Sequence, residues 1–416
     1  MENPFLSLFA QSFDSFLGVL PIILPVFIIW RIIVEYVGYA RQKNWNSQKH
    51  TLLEIIPPSD VKKSPAAMEL FLISLHQTGG ESTWIKKYID GATRAWFSLE
   101  IVSFGGQVHF YIWMQTKYKR FIESQLHAQY PGIETRESED YAQIFDFDPS
   151  NNELFGIEFG LGKPDPYPIK TYVDYALDTQ DKEDLQIDPI TPMIELLASL
   201  NPGEFMWFQY IVRAHKKEDP NPDKWFGDKI DNWEKDAAKY IEELRDKSVS
   251  KLEDSAGKKI AVNQTEGQKR KIVALERSIS KLAFDVGIRA LYMADKDSFD
   301  GINRGVLSAS LKQFNSAELN GFKGIHATDF DFPWQDFGGH KLKRLKYEIL
   351  EQYKDRKYFF SSLPGTTFGG KKKRKSMVLN TEELATIFHF PGKVSKTTSL
   401  QRVESRKVGP PLNLPI

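Results

Sequence analysis

The stretch with the strongest claim to chemistry is Gly365-Thr-Thr-Phe-Gly-Gly370-Lys371, which nearly matches a phosphate-binding P-loop. Such a loop cradles phosphates with backbone N–H groups and needs a Ser or Thr after its lysine to hold Mg²⁺. Lys372 stands there instead. The preceding Ser-Ser-Leu-Pro is a poor strand and no apolar helix follows, so both structural contexts of a P-loop are missing. What is left is a run of five cations, Lys371, Lys372, Lys373, Arg374 and Lys375. Its plain reading is a solvated basic loop. Its functional reading is a contact with anionic lipid or nucleic acid.

Other routes to catalysis find little footing. The chain has no Cys, which excludes disulfides, Cys-based zinc sites, iron–sulfur clusters and a Cys nucleophile. Its 8 His are scattered, without HExxH or any other paired spacing. No GxSxG and no Ser-His-Asp set can be picked out. The expectation is a protein without catalytic residues, metal or cofactor. Basic and acidic residues balance at 55 each, so an anionic partner could be met only by local patches.

A second candidate contact lies on a strand. His109, Tyr111 and Trp113 share one face of an alternating run, and sheets of this order in RNA-recognition domains stack bases on third-strand aromatics. The basic-Gly-aromatic pattern of those domains is absent. The competing reading packs Tyr111 and Trp113 against a neighbouring unit or a partner.

The elements that position these residues form a repeated order. Trp96 to Met114 reads as two alternating strands joined at Gly105-Gly106, with Leu99, Ile101, Val108, Phe110 and Ile112 on one face. Before it come a strand at 51–57 and a helix opened by Ser64-Pro65. After it come a helix at 117–130 and an edge-like strand at 133–141. This is the β-α-β-β-α-β order of ferredoxin-like folds. The order recurs more loosely, with strands at 153–161, 168–175, 205–214 and 283–293, helices from Asp188 and near 299–314, and a strand near 324–330. Between its middle strands, residues 216–281 read as a charged helical hairpin, either a solvated insert or an assembly contact. The expected fold is therefore α+β: an anchor segment at 1–50, ferredoxin-like units at 51–147 and 148–335, and an extension at 336–416. With 29 Phe, 16 Tyr and 9 Trp, the chain has material for real cores.

The anchor is the departure from a soluble protein. Between Asp14 and Arg31 lie 16 uncharged residues, followed by Ile32, Ile33 and Val34. That run approaches the ~20 residues that cross a bilayer, and Arg31 and Trp30 suit the interface. Arg31, Arg41, Lys43 and Lys49 all follow the run, which places the bulk of the chain in the cytoplasm.

Several segments resemble a family. The helix end His127-Ala-Gln-Tyr-Pro-Gly132, the hairpin at 98–113, the stretches at 167–175 and 284–292, and the tail Glu383-Leu-Ala-Thr-Ile-Phe-His-Phe-Pro391 are similar to a membrane-anchored domain-of-unknown-function family of Patescibacteria. The tail also resembles the segment before the motor domain of TraG/HerA-like coupling ATPases of type IV secretion and conjugation. The resemblance implies a non-enzymatic scaffold of such a translocation machine in the bacterial cell membrane. Its partners would be the bilayer, a coupling-type ATPase, and further copies of the chain, with nucleic acid secondary. Glu382, Glu383, Leu384, Phe388, His389 and Phe390 are the residues expected to dock the ATPase. The alternative is a membrane-tethered binder of single-stranded nucleic acid using Tyr111, Trp113 and Lys371 to Lys375.

Overall fold

The computed structural model describes residues 4–58, 63–178, 187–216, 233–249, 264–330, 332–359 and 376–392. The chain divides into two compact units. The first comprises residues 1–48, 79–93 and 360–373, and the second the remainder.

The anchor unit is built on α1, Pro4–Asn46, a helix of 43 residues. Within it, Pro21–Asn46 is long and apolar enough to cross a membrane, with a mean hydropathy of 1.8 in a window that is 0% buried. Pro21 and Pro25 sit inside the helix without ending it. Arg31 pairs with Glu35 one turn on, so neither charge stands alone on the apolar shaft.

Among the described residues the sheet unit holds nine strands: β1 His50–Ile56, β2 Trp96–Phe104, β3 Gln107–Gln115, β4 Glu134–Ser138, β5 Asn152–Leu161, β6 Glu204–Ala214, β7 Ala283–Asp295, β8 Phe322–Ala327 and β9 Met377–Asn380. Eight of them run in the order β4-β1-β3-β2-β6-β7-β5-β8, and β9 pairs with β7. Each of these pairings is antiparallel. The first four strands, with α2 (Pro65–Ser74) and α3 (Lys119–Gln129), follow the order β-α-β-β-α-β, and so, after a short α4 (Tyr141–Ile144), do β5 to β8 with α5 (Thr191–Ala198) and α8 (Gly301–Ala309). Both halves place their strands fourth, first, third, second. They meet at their second strands, where Trp96 lies opposite Arg213 and Phe104 opposite Phe205.

The hairpin turn shows why its glycines are there. Gly105 and Gly106 have φ of +55° and +87°, and Phe104 faces Gln107 across them. A Cβ on Gly106 would lie 2.8 Å from the Leu200 carbonyl oxygen, so the turn presses against the chain leaving α5.

One face of the sheet is apolar and covered by helices. Leu53, Leu99, Ile101, Phe110, Ile112, Phe208 and Ile288 meet Phe71 and Leu72 of α2, Ile122 and Leu126 of α3, and Leu197 of α5 in one core. The same core includes Leu384 and Ile387 of α10, Thr381–Ile387, and Phe388 that caps it. The insertion is a pair of helices, α6 Trp233–Val249 and α7 Glu266–Ile279, joined through Ile241, Ile272 and Leu275.

One expected strand is absent. Residues 168–171 take no regular structure and 172–175 form turns, where the Asp174 carboxylate accepts from the Thr171 N–H at 2.9 Å and closes the chain on itself. The expected extension is also no appendage. Its helix α9, His340–Lys354, covers β5, and β9 fills the place beside the start of β7 that β5 does not reach.

Candidate functional site

The other face of the sheet carries the main concentration of buried ionisable groups. The strand registers place Glu54 opposite Tyr111, Tyr111 opposite Glu100, Glu100 opposite Gln209, Gln209 opposite Arg289, Arg289 opposite Glu158, and Glu158 opposite His326. One polar residue from each of seven adjacent strands thus forms a single row across the sheet. Each alternates with apolar neighbours that point to the helix-covered face, which is why the period of two collects them on one side.

One member of the row, Glu100, is tied to Asp140 by a side chain from beyond α9. Arg356 is fully buried with φ +50°, a left-handed conformation that a non-glycine residue adopts only under constraint. Its Nε donates to Glu100 Oε1 at 2.8 Å and its Nη2 to Oε2 at 3.2 Å. The same guanidinium donates to both carboxylate oxygens of Asp140 at 2.7 and 2.8 Å. Gln209 donates to Glu100 Oε1 at 3.2 Å and accepts from Arg289 Nη1 at 3.2 Å. Arg289 Nε donates to Glu158 Oε1 at 2.9 Å, and Glu158 Oε2 faces His326 Nδ1 at 3.4 Å. Charges along the line Asp140, Arg356, Glu100, Arg289, Glu158 therefore alternate in sign.

Electrostatics follow from this burial. Desolvation opposes the charge on Arg356, but Glu100 and Asp140 outweigh it and hold its pKa well above the usual arginine value. Burial, reinforced by Glu100, pushes the Tyr141 hydroxyl far up, so it stays protonated and donates to Glu100 Oε2 at 2.7 Å. A related cluster lies on the same face near the end of β6. Asp285 accepts from Arg213 Nη2 and pairs with His215 Nδ1, each at 2.7 Å, with Arg94 Nη2 at 3.8 Å. Burial would raise the Asp285 pKa, yet His215, Arg213 and Arg94 together bring it down to about 2.

This arrangement cross-braces the sheet. Glu100, Arg289 and Arg356 are each committed to two or more partners and shielded from water. Among the described residues, no group of three His, Cys, Asp or Glu is placed to hold a metal ion.

The residues expected to bind from the sequence sit elsewhere than expected. Tyr111 is 5% and Trp113 7% exposed, so neither offers a face to a base. Tyr111 packs on Tyr141, and Trp113 stacks on His50 at 4.5 Å with Arg356 over its other reach. Their cover comes from their own half and the segment after α9, against the base-stacking reading. Lys371, Lys372, Lys373, Arg374 and Lys375 lie outside the described residues.

The expected docking residues are also corrected. Glu382, Glu383, Leu384, Phe388, His389 and Phe390 are all at most 2% exposed and belong to the interior. Asn380 and Glu383 form a reciprocal cap on α10, and Glu383 Oε1 accepts from the Ile169 N–H at 2.9 Å. Glu382 pairs with Lys281 at 2.9 Å and Arg277 at 3.3 Å. Lys281 also reaches Glu69 of α2 at 2.7 Å. His389 spans Ala385 O and Asp188 Oδ1, each at 2.9 Å, and Phe390 packs edge-on to Phe110 at 5.3 Å. A partner could not reach these side chains without opening the core.

A family described as a domain of unknown function (DUF8128) matches residues 40–402, and the chain belongs to that family. No curated protein matches the chain.

Proposed function

We propose that this chain is a non-enzymatic scaffold, held to the bacterial cell membrane by α1 and built to dock a partner ATPase of a type IV secretion-like or conjugation-like translocation machine. The sheet unit is read as two ferredoxin-like halves fused at their second strands, with the bulk of the chain in the cytoplasm. The observation that carries the reading is α1, whose apolar window is 0% buried by the rest of the chain. A helix with that much unburied apolar surface needs a bilayer. The braced polar row adds support, since it makes a rigid platform and holds its acids and bases away from any substrate. The resemblance of the tail to the segment before a coupling-type motor supplies the partner's class.

Because Met377 to Phe390 complete the core, the docking surface is sought after Gly392. The test is affinity purification from membranes of the full chain and of a chain ending at Gly392. An ATPase is expected with the first and lost with the second. Absence of any ATPase from both would sink the reading.

A further inference from the structure

We propose that the segment Trp84 to Ile89 is a foot that lies in the headgroup layer of the bilayer crossed by α1 and takes anionic lipid. The proposal rests on the membrane anchoring argued above and adds a second contact to it. Residues 79–93 belong to the anchor unit and pack on α1. Their approach is close. A Cβ on Gly91, whose φ is +63°, would fall 2.2 Å from the Ala40 carbonyl carbon and 2.4 Å from the Arg41 nitrogen, so only glycine fits there. Ala40 lies six residues past Val34, the end of the apolar run, or about 9 Å along a helix. Headgroups extend roughly 5–8 Å beyond the hydrocarbon on each side. The segment is thus fastened to α1 at about the level where bilayer meets water.

Its composition suits that level. Ile85–Ile89 is a π-helical turn, a rare form that often marks a functional position. Trp84, Ile85 and Ile89 are 66%, 48% and 44% exposed, three large apolar side chains within six residues. Lys86 and Lys87 sit between them, and Arg41 and Lys43 follow on α1. Glu81 and Asp90 flank the segment, so the cations are concentrated at its centre. Tryptophan with aliphatic residues and lysines is the chemistry that partitions into an anionic interface.

The chain has no cysteine, so single labels are clean. Ile85→Cys carrying an environment-sensitive fluorophore, in the otherwise intact chain, is incorporated into vesicles of phosphatidylcholine with or without phosphatidylglycerol. Flotation with the vesicles reports anchoring by α1. Headgroup-level spin-labelled lipid should remove most of the emission at 85 in anionic vesicles and much less of it in vesicles of phosphatidylcholine alone. Lys86→Ala should lower the docked-to-undocked ratio about fivefold, the equivalent of about 1 kcal/mol for a cation near an anionic surface. A chain that floats but keeps its emission at 85 overturns the foot and spares the anchor. A chain that does not float overturns both. Quenching that tracks protein density rather than lipid charge assigns the segment to a contact between copies and overturns the lipid reading.

Discussion

The two faces of the sheet are both buried, yet they are built from opposite materials. The helix-covered face is filled by Phe, Leu and Ile, and its stability scales with the apolar area withdrawn from water. The face under α9 holds a line of alternating charges, and such a line is a weak source of net stability because each ion must first lose its water. The difference shows what each face is for. An apolar face tolerates many registers, since one Leu can stand in for another. A row of charges does not. A one-residue slip of β2 would send Glu100 into the apolar core and Leu99 into the row. We read the polar row as the device that sets strand register across both halves, and the apolar face as the source of most of the folding free energy.

The largest effect that could break this contrast is expected at Arg356. Arg356→Met strands Glu100 without its bidentate partner and should cost about 3–5 kcal/mol in urea unfolding followed by tryptophan fluorescence. Adding Glu100→Gln should recover much of that loss, because the neutral amide no longer needs a cation. Additive single and double losses would mean that the row is not a coupled unit. On the apolar face, Leu384→Ala should cost about 2–5 kcal/mol by leaving a cavity, with no rescue by any neutralising change and little dependence on pH.

Acid sharpens the comparison next. The Asp285 pKa is depressed to about 2 from 3.8, so its stabilisation is present above pH 3.8 and lost as pH falls through about 2. The loss should amount to about 2 kcal/mol, and Asp285→Asn should remove that part of the acid slope. The smallest effect is local: Asn380→Ala removes the cap of α10 and should cost about 1 kcal/mol, read as a lowered midpoint without a changed slope.

Much of the fold could be read before the structure. Gly105-Gly106 marked the central turn, Ser64-Pro65 marked the start of α2, and Ile272 and Leu275 marked the inner face of α7. The row was also visible in part, since Glu54, Glu100, Glu158, Gln209 and Arg289 each interrupt an apolar strand. What no single strand carries is its register against partners far along the chain, and that register alone turns scattered polar residues into a line. Residues 168–175 misled because Tyr and Val favour strands, whereas Asp174 at the turn decided the local outcome. The acidic start of α10 misled in the same way. Glu382 and Glu383 look like surface, but Arg277 and Lys281, about a hundred residues earlier, arrive from the insertion to meet Glu382.

The position of β9 and α10 has a consequence for biogenesis. During synthesis α1 leaves the ribosome while the sheet is still incomplete. Until Phe390 has emerged, Phe110 lacks its cover and Ala283 to Val286 present an open strand edge on one side. A chain cut short before Met377 would therefore keep that edge exposed, and cellular quality control would meet it as unfinished.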